Sequence, residues 1–503
     1  MTQPDHRSIE ARWYTRATFL RIAALGATAI VGVPLLATCG QGGTSAPATS
    51  PAPAAPSAAS AAQGGQPAAT TASAAATSAR DTVTGTAATS VQSAGSASAA
   101  GKGQQTLSLW DRMEPTYNKF FTAWLPGFRA AHPNLNVEYV AFGEGNWEKL
   151  VAAMAGGTPP DVVITNSWRP RYFAKQKQAI VLDPYIKTSQ LDAQDFLQGI
   201  YKAMSVDGKQ YAIPQYVNTN LMYYNRDLFK KMGLPSPTDD WTQDQFVDAA
   251  GHLTNGALPV RQVWGMSVNP TGVTVRACSL LWGRGAQYND PDNPDVFTWG
   301  LPQNVTALQW LYDLTWKDRD NAATNDDRGG EAEDVAFFQS GKTAMFLEGA
   351  HQLLTWKDKA KVDWDVAALP VGPSGRGERG AVDGYIIPVG VKTPDSSWVV
   401  LEGITSKEAN RLRSDLAGLP PARKSQLEGW ASSIPNKNIK SGIPTDAVRP
   451  DPAALWPRAA DISGPLGDIW TKLYIKRQYG VQDALKQAND VVTGILGASA
   501  AKS

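Results

Sequence analysis

The distribution of apolar positions after residue 104 predicts alternating strands and helices. Short apolar runs at Thr106–Trp110, Asn136–Val140 and Asp161–Ile164 are typical of buried strands. Between them, apolar residues recur at helical spacing over Tyr117–His132 and Trp147–Ala155. Strands that alternate with helices indicate an α/β fold with a mainly parallel sheet, whose ligands bind beyond the carboxyl ends of the strands. The loops that follow the three strands are therefore the first places to look for a site.

The first 38 residues have the layout of an export signal. Four arginines precede Ile22–Thr38, a run of 17 residues without charge. The run ends in Leu36-Ala-Thr-Cys39, which resembles the lipobox at which bacterial lipoproteins are cleaved and lipidated. We predict that residues 1–38 are a signal peptide, that Cys39 is lipidated, and that the mature chain is extracytoplasmic and anchored to the cell membrane. The alternative is an uncleaved membrane anchor, on a run at the lower limit for spanning a bilayer.

Residues 39–104 form a second, compositionally distinct segment. After Cys39 it consists almost entirely of Ala, Ser, Thr, Gly and Pro, with no aromatic residue, no Leu and no Ile. Such a segment cannot bury enough apolar surface to offset its chain entropy. A flexible chain of this length has a typical reach of about 45 Å. We therefore predict a disordered tether that holds a folded domain away from the membrane.

Charge and composition exclude several classes of function. The chain has 503 residues, room for two or three domains, and its 47 Lys and Arg against 46 Asp and Glu indicate no nucleic-acid partner. Its two cysteines, Cys39 and Cys278, and four scattered histidines form no cluster with metal-ligand spacing, so neither a metal nor another cofactor is expected. The 17 tryptophans are unusually many. Because indole planes pack on sugar rings, they favour a carbohydrate ligand.

Eight segments, in this order, are similar to those of the family 1 extracellular solute-binding proteins of ABC importers, the group that includes maltose-binding protein. The segments are Trp147–Ile164, Gly208–Pro214, Tyr224–Phe229, Trp241–Leu253, Phe338–Gly349 with Trp364–Pro370, Gly384–Pro388 and Gly418–Arg423. The resemblance covers essentially residues 105–495. It implies a two-lobed periplasmic-binding-protein-like fold of type II, with a ligand cleft between the lobes and several crossing hinge segments.

By the same resemblance, each lobe is built from two parts of the chain. The expected limits are 105–214 plus about 384–418 for lobe 1, and about 215–383 plus 419–503 for lobe 2. The crossings are expected near Pro214–Asn218, Asp383–Ile387 and Gly418–Pro421, where Gly and Pro suit hinges.

The resemblance also implies a function. It predicts a monomeric substrate-binding lipoprotein that binds a mono- or oligosaccharide and delivers it to the permease subunits of an ABC transporter, with no catalytic residues. Two alternatives remain open from the residues. One is an extracytoplasmic glycosidase that uses paired carboxylates such as Glu348 and Asp383. The other is the same fold binding a peptide, a polyamine or an anion.

Three candidate ligand contacts lie in loops after the predicted strands. Glu114 follows the first strand, where maltose-binding relatives place a polar contact; otherwise it is a solvated carboxylate. Trp168 and Arg169 follow the third strand, at positions that carry charged sugar contacts in those relatives. Trp168 departs from that pattern by being aromatic, and its alternative is a core indole. Its polar sequence context favours a ligand contact.

Another five candidates lie on or near the first predicted crossing and the later motifs. Tyr216 and Asn218 lie on that crossing, and Asn218 stands where the maltose binders have Glu. Trp282 precedes glycines that would let a ligand approach, with core packing as the alternative. Glu348 and His351 close the Gly341–His351 motif, and His351 replaces a Trp that often stacks on sugar.

The last candidates belong to the second and third predicted crossings. Asp383 opens the second crossing and is either a ligand contact or a turn carboxylate, while Arg423 follows the third. Separately, Asn289–Asp295 is rich in oxygen ligands of the kind that bind calcium. It lacks the Gly and terminal Glu of an EF-hand loop, so a solvated turn is the favoured interpretation.

Overall fold

The computed structural model describes residues 104–112, 115–142, 147–166, 169–255, 263–269, 271–290, 293, 295–318, 331–356, 361–434, 437–456 and 458–497. All of them fall in one compact unit. Residues 1–103, which include the predicted signal peptide, the predicted lipidation site Cys39 and all but the last residue of the predicted tether, lie outside these ranges. No helix within the described ranges is both long and apolar enough to cross a membrane.

Ten strands and sixteen helices build the described part of the chain. The strands are β1 Gln105–Arg112, β2 Leu135–Phe142, β3 Val162–Asn166, β4 Ser205–Val206, β5 Lys209–Gln210, β6 Ile213–Asn225, β7 Trp264–Ser267, β8 Thr343–Gly349, β9 Trp364–Ala367 and β10 Gly380–Ile386. The helices are α1 Pro115–Ala131, α2 Trp147–Ala155, α3 Pro170–Lys175, α4 Asp183–Thr188, α5 Gln198–Ala203, α6 Arg226–Lys231, α7 Gln243–Leu253, α8 Cys278–Gly283, α9 Pro302–Trp316, α10 Glu331–Gln339, α11 Gln352–Trp356, α12 Pro394–Ile404, α13 Lys407–Ala417, α14 Leu427–Ser432, α15 Ala459–Tyr474 and α16 Val481–Leu496. The five elements predicted from periodicity, β1 to β3 with α1 and α2, are confirmed.

The main sheet is mixed, not mainly parallel. Its order is β2-β1-β3-β10-β6-β8-β7, with β9 paired to β6. The pairs β1–β2, β1–β3 and β7–β8 are parallel, as βα units require. β10 runs antiparallel to β3 and β6, and β6 runs antiparallel to β8 and β9. The prediction of a mainly parallel sheet is therefore wrong beyond the first three strands, because β6 and β10 insert in the opposite direction.

The described residues pack into two large cores, which share the long strand β6. The first core, here defined by Leu109, Phe173 and Tyr385, lies around β1 to β3 and β10. The second core, defined by Met266 and Phe297, lies around β7, β8 and the helices α15 and α16. The half of β6 before Asn220 pairs with β10, and the half from Asn220 onward pairs with β8 and β9. Strand β6 thus passes from one core to the other.

A glycine at the end of α13 leads into the predicted third crossing. Gly418 has φ 71°, the left-handed region that favours glycine, and its backbone N–H caps the helix by donating to the carbonyl of Ser414. Two residues on, the carbonyl of Pro420 accepts from the N–H of Val217 at 2.9 Å. The segment after α13 therefore lies beside β6. The exact residue limits of the two lobes stay a prediction.

Candidate ligand-binding site

Two cation and indole pairs lie at the carboxyl edge of the parallel strands. The guanidinium carbon of Arg169, three residues after β3, is 3.7 Å from the ring centroid of Trp147, which opens α2. The Nζ atom of Lys149 is 5.3 Å from the ring centroid of Trp110 near the end of β1. Burial lowers the pKa of Arg169 to about 10. Half-buried indoles beside cations provide planar surfaces and hydrogen-bond donors for a polar ring.

Two of the sequence candidates fall outside the described residues. Glu114 follows β1, and Trp168 precedes Arg169. Their assignment as ligand contacts stays a prediction. Arg169 itself carries a buried Nε atom that has no hydrogen-bond acceptor among the described residues.

Tyr216 and Asp383 are brought together in the middle of the sheet. They are register partners on β6 and β10, and the phenol of Tyr216 donates a hydrogen bond to the carboxylate of Asp383. Both are buried, at 4% and 5% exposure. Asp383 also lies opposite Asn166, the last residue of β3. This carboxylate therefore connects the carboxyl edge of the parallel strands with the strand that passes between the cores.

Asn218 and His351 form a second pair of candidates. The Oδ1 atom of Asn218 accepts from the backbone N–H of His351 at 3.1 Å, and its Nδ2 atom is 3.1 Å from the Nδ1 atom of the imidazole. The amide of Gln352 reaches the other ring nitrogen of His351 at 3.2 Å. Gly349 makes this approach possible, since a Cβ there would lie 2.7 Å from the Oδ1 atom of Asn218. The pair joins the middle of β6 to the end of β8.

Glu348 is fully buried and ion-paired. Its Oε1 atom accepts from the Nε atom of Arg276 at 2.8 Å and from the backbone N–H of Gly349 at 2.6 Å. Its Oε2 atom has no hydrogen-bond partner within the described ranges. A buried carboxylate is tolerated only where it is paired, and Arg276 supplies that partner. Burial raises the pKa of Tyr223, and the negative charge of Glu348 raises it further.

A buried polar network behind Glu348 is not evident in the sequence. Asn220 on β6 donates to the backbone carbonyl of Arg276 at 3.2 Å and accepts from the Nη1 atom of Arg379 at 3.2 Å. The Nε atom of Arg379 donates to Asp451 at 2.6 Å, and both side chains are at most 1% exposed. The only sequence signal is a charged residue inside an apolar run, as at Arg276. This network ties together segments on both sides of the passage of β6.

Trp282 and Arg423 do not join the other candidates. Trp282 is 8% exposed in the second core, edge-to-face with Tyr288 at 6.0 Å. Arg423 donates to the carbonyl of Thr405 at 2.8 Å and to the Oδ2 atom of Asp195 at 3.2 Å. Burial lowers its pKa. Both environments fit a packing role.

The segment expected to be either a calcium loop or a solvated turn is only partly described. Asn289 accepts a hydrogen bond from the indole N–H of Trp456 at 3.1 Å, and Asp295 forms an ion pair with Arg171. Residues 291, 292 and 294 are outside the described part of the chain. Among the residues that are described, no three His, Cys, Asp or Glu side chains are grouped to hold a metal ion.

Sequence reasoning missed the two indoles at the strand edge, Trp110 and Trp147, although both adjoin the loops that it singled out. It also missed a buried cluster at the end of β1. There Asp111 accepts hydrogen bonds from the phenol of Tyr385 and from the Nη2 atom of Arg413, the latter at 3.1 Å. Tyr385 and Arg413 are far from Asp111 in the chain, so no local spacing indicates that they contact it.

Comparisons with known proteins support a binding protein. A protein of Brucella abortus (strain 2308), named as a binding protein, is 26% identical over 337 residues, which cover 66% of this chain and 79% of that protein. The maltooligosaccharide ABC transporter solute-binding lipoprotein of Streptococcus pneumoniae serotype 4 is 25% identical over 296 residues, or 58% of this chain and 66% of that protein.

The fold is shared with a solved structure. The ABC substrate-binding protein of Listeria monocytogenes in complex with cycloalternan has a TM-score of 0.67 and 22% identity, and the match covers 78% of this chain and 99% of that one. The predicted two-lobed fold of type II is thereby confirmed. The family model for bacterial extracellular solute-binding proteins matches residues 110–411, more than half of the chain. The chain therefore belongs to the bacterial extracellular solute-binding proteins.

Proposed function

We propose that this chain is the lipid-anchored receptor of an ABC importer, which binds a mono- or oligosaccharide between its lobes and delivers it to the permease. The observation that carries the proposal is the meeting of two features. Arg169 stacks on Trp147 at the strand edge, and Asp383 joins that edge to Tyr216 on the passing strand. Planar aromatic, guanidinium and carboxylate groups are the types that recognise sugar rings and hydroxyls.

The proposed ligand contacts comprise a central set and an outer set. The central set is Trp147, Arg169, Tyr216, Asn218, His351 and Asp383. The outer set is Glu114, Trp168 and Glu348, whereas Trp282 and Arg423, whose environments fit packing, stay predictions from the sequence alone. The names of the Streptococcus pneumoniae and Listeria monocytogenes relatives support a carbohydrate ligand, because they specify a maltooligosaccharide and cycloalternan.

We further propose that Cys39 carries the lipid, that residues 40–104 form the tether, and that the receptor acts as a monomer. The name of the Streptococcus pneumoniae relative, a lipoprotein, supports the anchor. A tether with a typical reach of about 45 Å leaves the receptor free to find the permease in the same membrane.

A ligand panel tests the carbohydrate. Maltotriose, arabinotriose, mannitol, a dipeptide, spermidine and phosphate are compared by the shift in melting temperature. A ligand at 100 times its dissociation constant adds about 2.7 kcal/mol to the free energy of unfolding, which is readily seen as a shift. Stabilisation by a sugar alone supports the proposal. Stabilisation by the peptide, spermidine or phosphate alone contradicts the carbohydrate class and leaves the binding fold intact.

We also propose that the bound sugar is not turned over. After prolonged incubation the oligosaccharide should have an unchanged mass. Hydrolysis that disappears in Glu348→Gln or Asp383→Asn would identify a glycosidase, because both variants keep the shape of the side chain and remove its carboxylate.

A further inference from the structure

An ion pair connects the first core to the second core close to the candidate site. The guanidinium of Arg171 contacts the carboxylate of Asp295, and the two side chains are 12% and 41% exposed. Arg171 lies on α3, two residues after Arg169. The pair is therefore a direct contact between the candidate ligand loop after β3 and the other side of the molecule.

The Arg171 side of the contact is fixed to the first core. Helix α3 begins with Pro170 at its first position, and its Phe173 and Ala174 are buried. Phe173 belongs to the first core, at 0% exposure. Because a helix of this length moves as one piece, the position of Arg171 follows the first core.

The Asp295 side of the contact is fixed to the second core. Asn289 and Phe297 form a β-bridge, and the backbone N–H of Asp290 donates to the carbonyl of Val296 at 2.8 Å. Phe297, two residues after Asp295, is fully buried in the second core, with its ring 5.2 Å from that of Trp456. If the two cores move apart, the carboxylate therefore leaves the guanidinium.

We infer that Arg171 and Asp295 form an inter-lobe latch that favours the closed arrangement of the two lobes. The identity of the ligand that the closed lobes enclose rests on the proposed function, whereas the latch itself does not. A partly exposed ion pair is worth little on its own, so the latch shifts the equilibrium between open and closed forms by about twofold to fivefold. A ligand that contacts both lobes then completes closure through its differential affinity for the closed form.

The matched control is an ion pair on the same helix that does not connect the cores. Lys175, at the other end of α3, pairs with Asp207 at 3.0 Å, and both side chains are exposed, at 42% and 71%. Asp207 lies in the turn between β4 and β5, which are next to α5 and β6 in the chain. Asp207→Asn and Asp295→Asn remove the same charge with the same change in shape.

The latch is tested by the distance between the lobes in the ligand-free full chain. Spin labels are placed at Lys187→Cys on α4 and Gln482→Cys on α16, both exposed. The chain also carries Cys39→Ser, and its Cys278 is buried at 0% exposure and so protected from labelling. Pulsed electron–electron double resonance then reports the populations of short and long distances between the two labels. The tether does not affect these distances, because both labels lie beyond residue 104.

Asp295→Asn should raise the ratio of the long-distance to the short-distance population by about two- to fivefold. Asp207→Asn should leave this ratio unchanged. The swapped pair Arg171→Asp with Asp295→Arg should restore the short distance. Raising the salt concentration from about 0.1 M to about 1 M shortens the screening length from about 10 Å to about 3 Å, and should move the wild type toward Asp295→Asn.

The outcomes separate this inference from the proposed function. Unchanged distances in Asp295→Asn, or a swap that fails to restore them, would overturn the latch even if a sugar binds. A shift in Asp295→Asn that the swap reverses supports the latch even if no sugar in the panel binds, in which case the proposed function fails alone.

Discussion

Trp147 and Arg169 form the contact at the residue scale that best separates ligand binding from packing. Trp147 is half-buried and presents its indole beside the loop after β3. Trp147→Ala should weaken the affinity for the carbohydrate retained from the panel by about 1–3 kcal/mol, because stacking is lost. Calorimetric titration measures this change. The melting temperature of the empty protein should fall little, because the indole is only half-buried.

Trp398→Ala is the matched control for that prediction. Trp398 is 6% exposed in the first core, with its ring 5.5 Å from that of Tyr185. Truncating a core indole typically lowers the free energy of unfolding by about 3–5 kcal/mol. The folded fraction of Trp398→Ala should bind normally. If Trp147→Ala instead lowers the melting temperature and leaves affinity unchanged, Trp147 is a packing residue.

Asp195 predicts how stability responds to acid. Burial raises the pKa of its carboxyl, but hydrogen bonds from Ser425 and Arg423 outweigh burial, so that its pKa lies below 3.8. Such a group stabilises the fold above its unfolded pKa, and the contribution is lost as the pH falls through the lower, folded pKa. Asp195→Asn should therefore be less stable than the wild type at neutral pH, and the difference should shrink below about pH 4.

Urea unfolding over a pH series measures that difference. Asp207→Asn provides the comparison, because the pKa of Asp207 is also lowered, by its hydrogen bond to Lys175, while its carboxylate is exposed. Exposed pairs contribute little, so this variant should follow the wild type throughout. A deficit in Asp195→Asn that stays constant with pH would mean that the shape of the side chain matters and its charge does not.

At the scale of elements, the end of β8 controls the approach of Asn218 to His351. A Cβ on Gly349 would lie 2.7 Å from the Nδ1 atom of His351 as well as from Asn218. Gly349→Ala should therefore separate these side chains, weaken the affinity for the carbohydrate and lower the melting temperature. Titration calorimetry and thermal unfolding measure the two effects.

Gly494→Ala shows what the same substitution does without a close neighbour. Gly494 lies within α16, and a Cβ there meets no atom within 4 Å. Because alanine is the better helix former, this change should raise the free energy of unfolding by up to about 1 kcal/mol and leave affinity unchanged. Normal binding by Gly349→Ala would remove the Asn218 and His351 pair from the proposed site.

Local periodicity predicted the elements but could not predict how they pair. β1 to β3, α1 and α2 are visible because each has its own apolar pattern. The antiparallel pairing of β6 with β10 joins residues more than 150 positions apart, and alternation within a strand carries no information about its partner. The sequence therefore indicates Tyr216 and Asp383 only as two separate candidates. Their hydrogen bond to each other became visible only with the fold.

The buried charges were harder to predict than the aromatic residues. Arg379 and Asp451 look like solvated surface residues in the sequence, since charged side chains are seldom buried. In the structure each is compensated by the other, at 1% and 0% exposure. A buried pair of this kind depends on three-dimensional compensation, which single positions do not show.

At the scale of the whole molecule, strand β6 carries two of the proposed ligand contacts and belongs to both cores. The same strand carries Tyr216 and Asn218 and pairs with β10 on one side of Asn220 and with β8 and β9 on the other. We expect side chains on a strand that belongs to both cores to move little relative to either core when the lobes turn. The proposed contacts from Tyr216 and Asn218 should therefore be available to a ligand in both the open and the closed form, whereas the ion pair of the proposed latch forms only on closure.

The last prediction concerns how the receptor reaches its membrane partner. If residues 40–104 are a tether and Cys39 its lipidated end, Cys39→Ser should move the protein from the membrane fraction to the soluble fraction or block its processing. Sugar binding by the purified protein should not change, because the proposed contacts all lie beyond residue 104. Uptake of radiolabelled sugar by cells should fall, since a released receptor is no longer held near the permease. Cys278→Ser is the control: this cysteine is buried and in no disulfide within the described residues, so the variant should stay membrane-bound. Lipid labelling that persists in Cys39→Ser would place the anchor elsewhere in the chain.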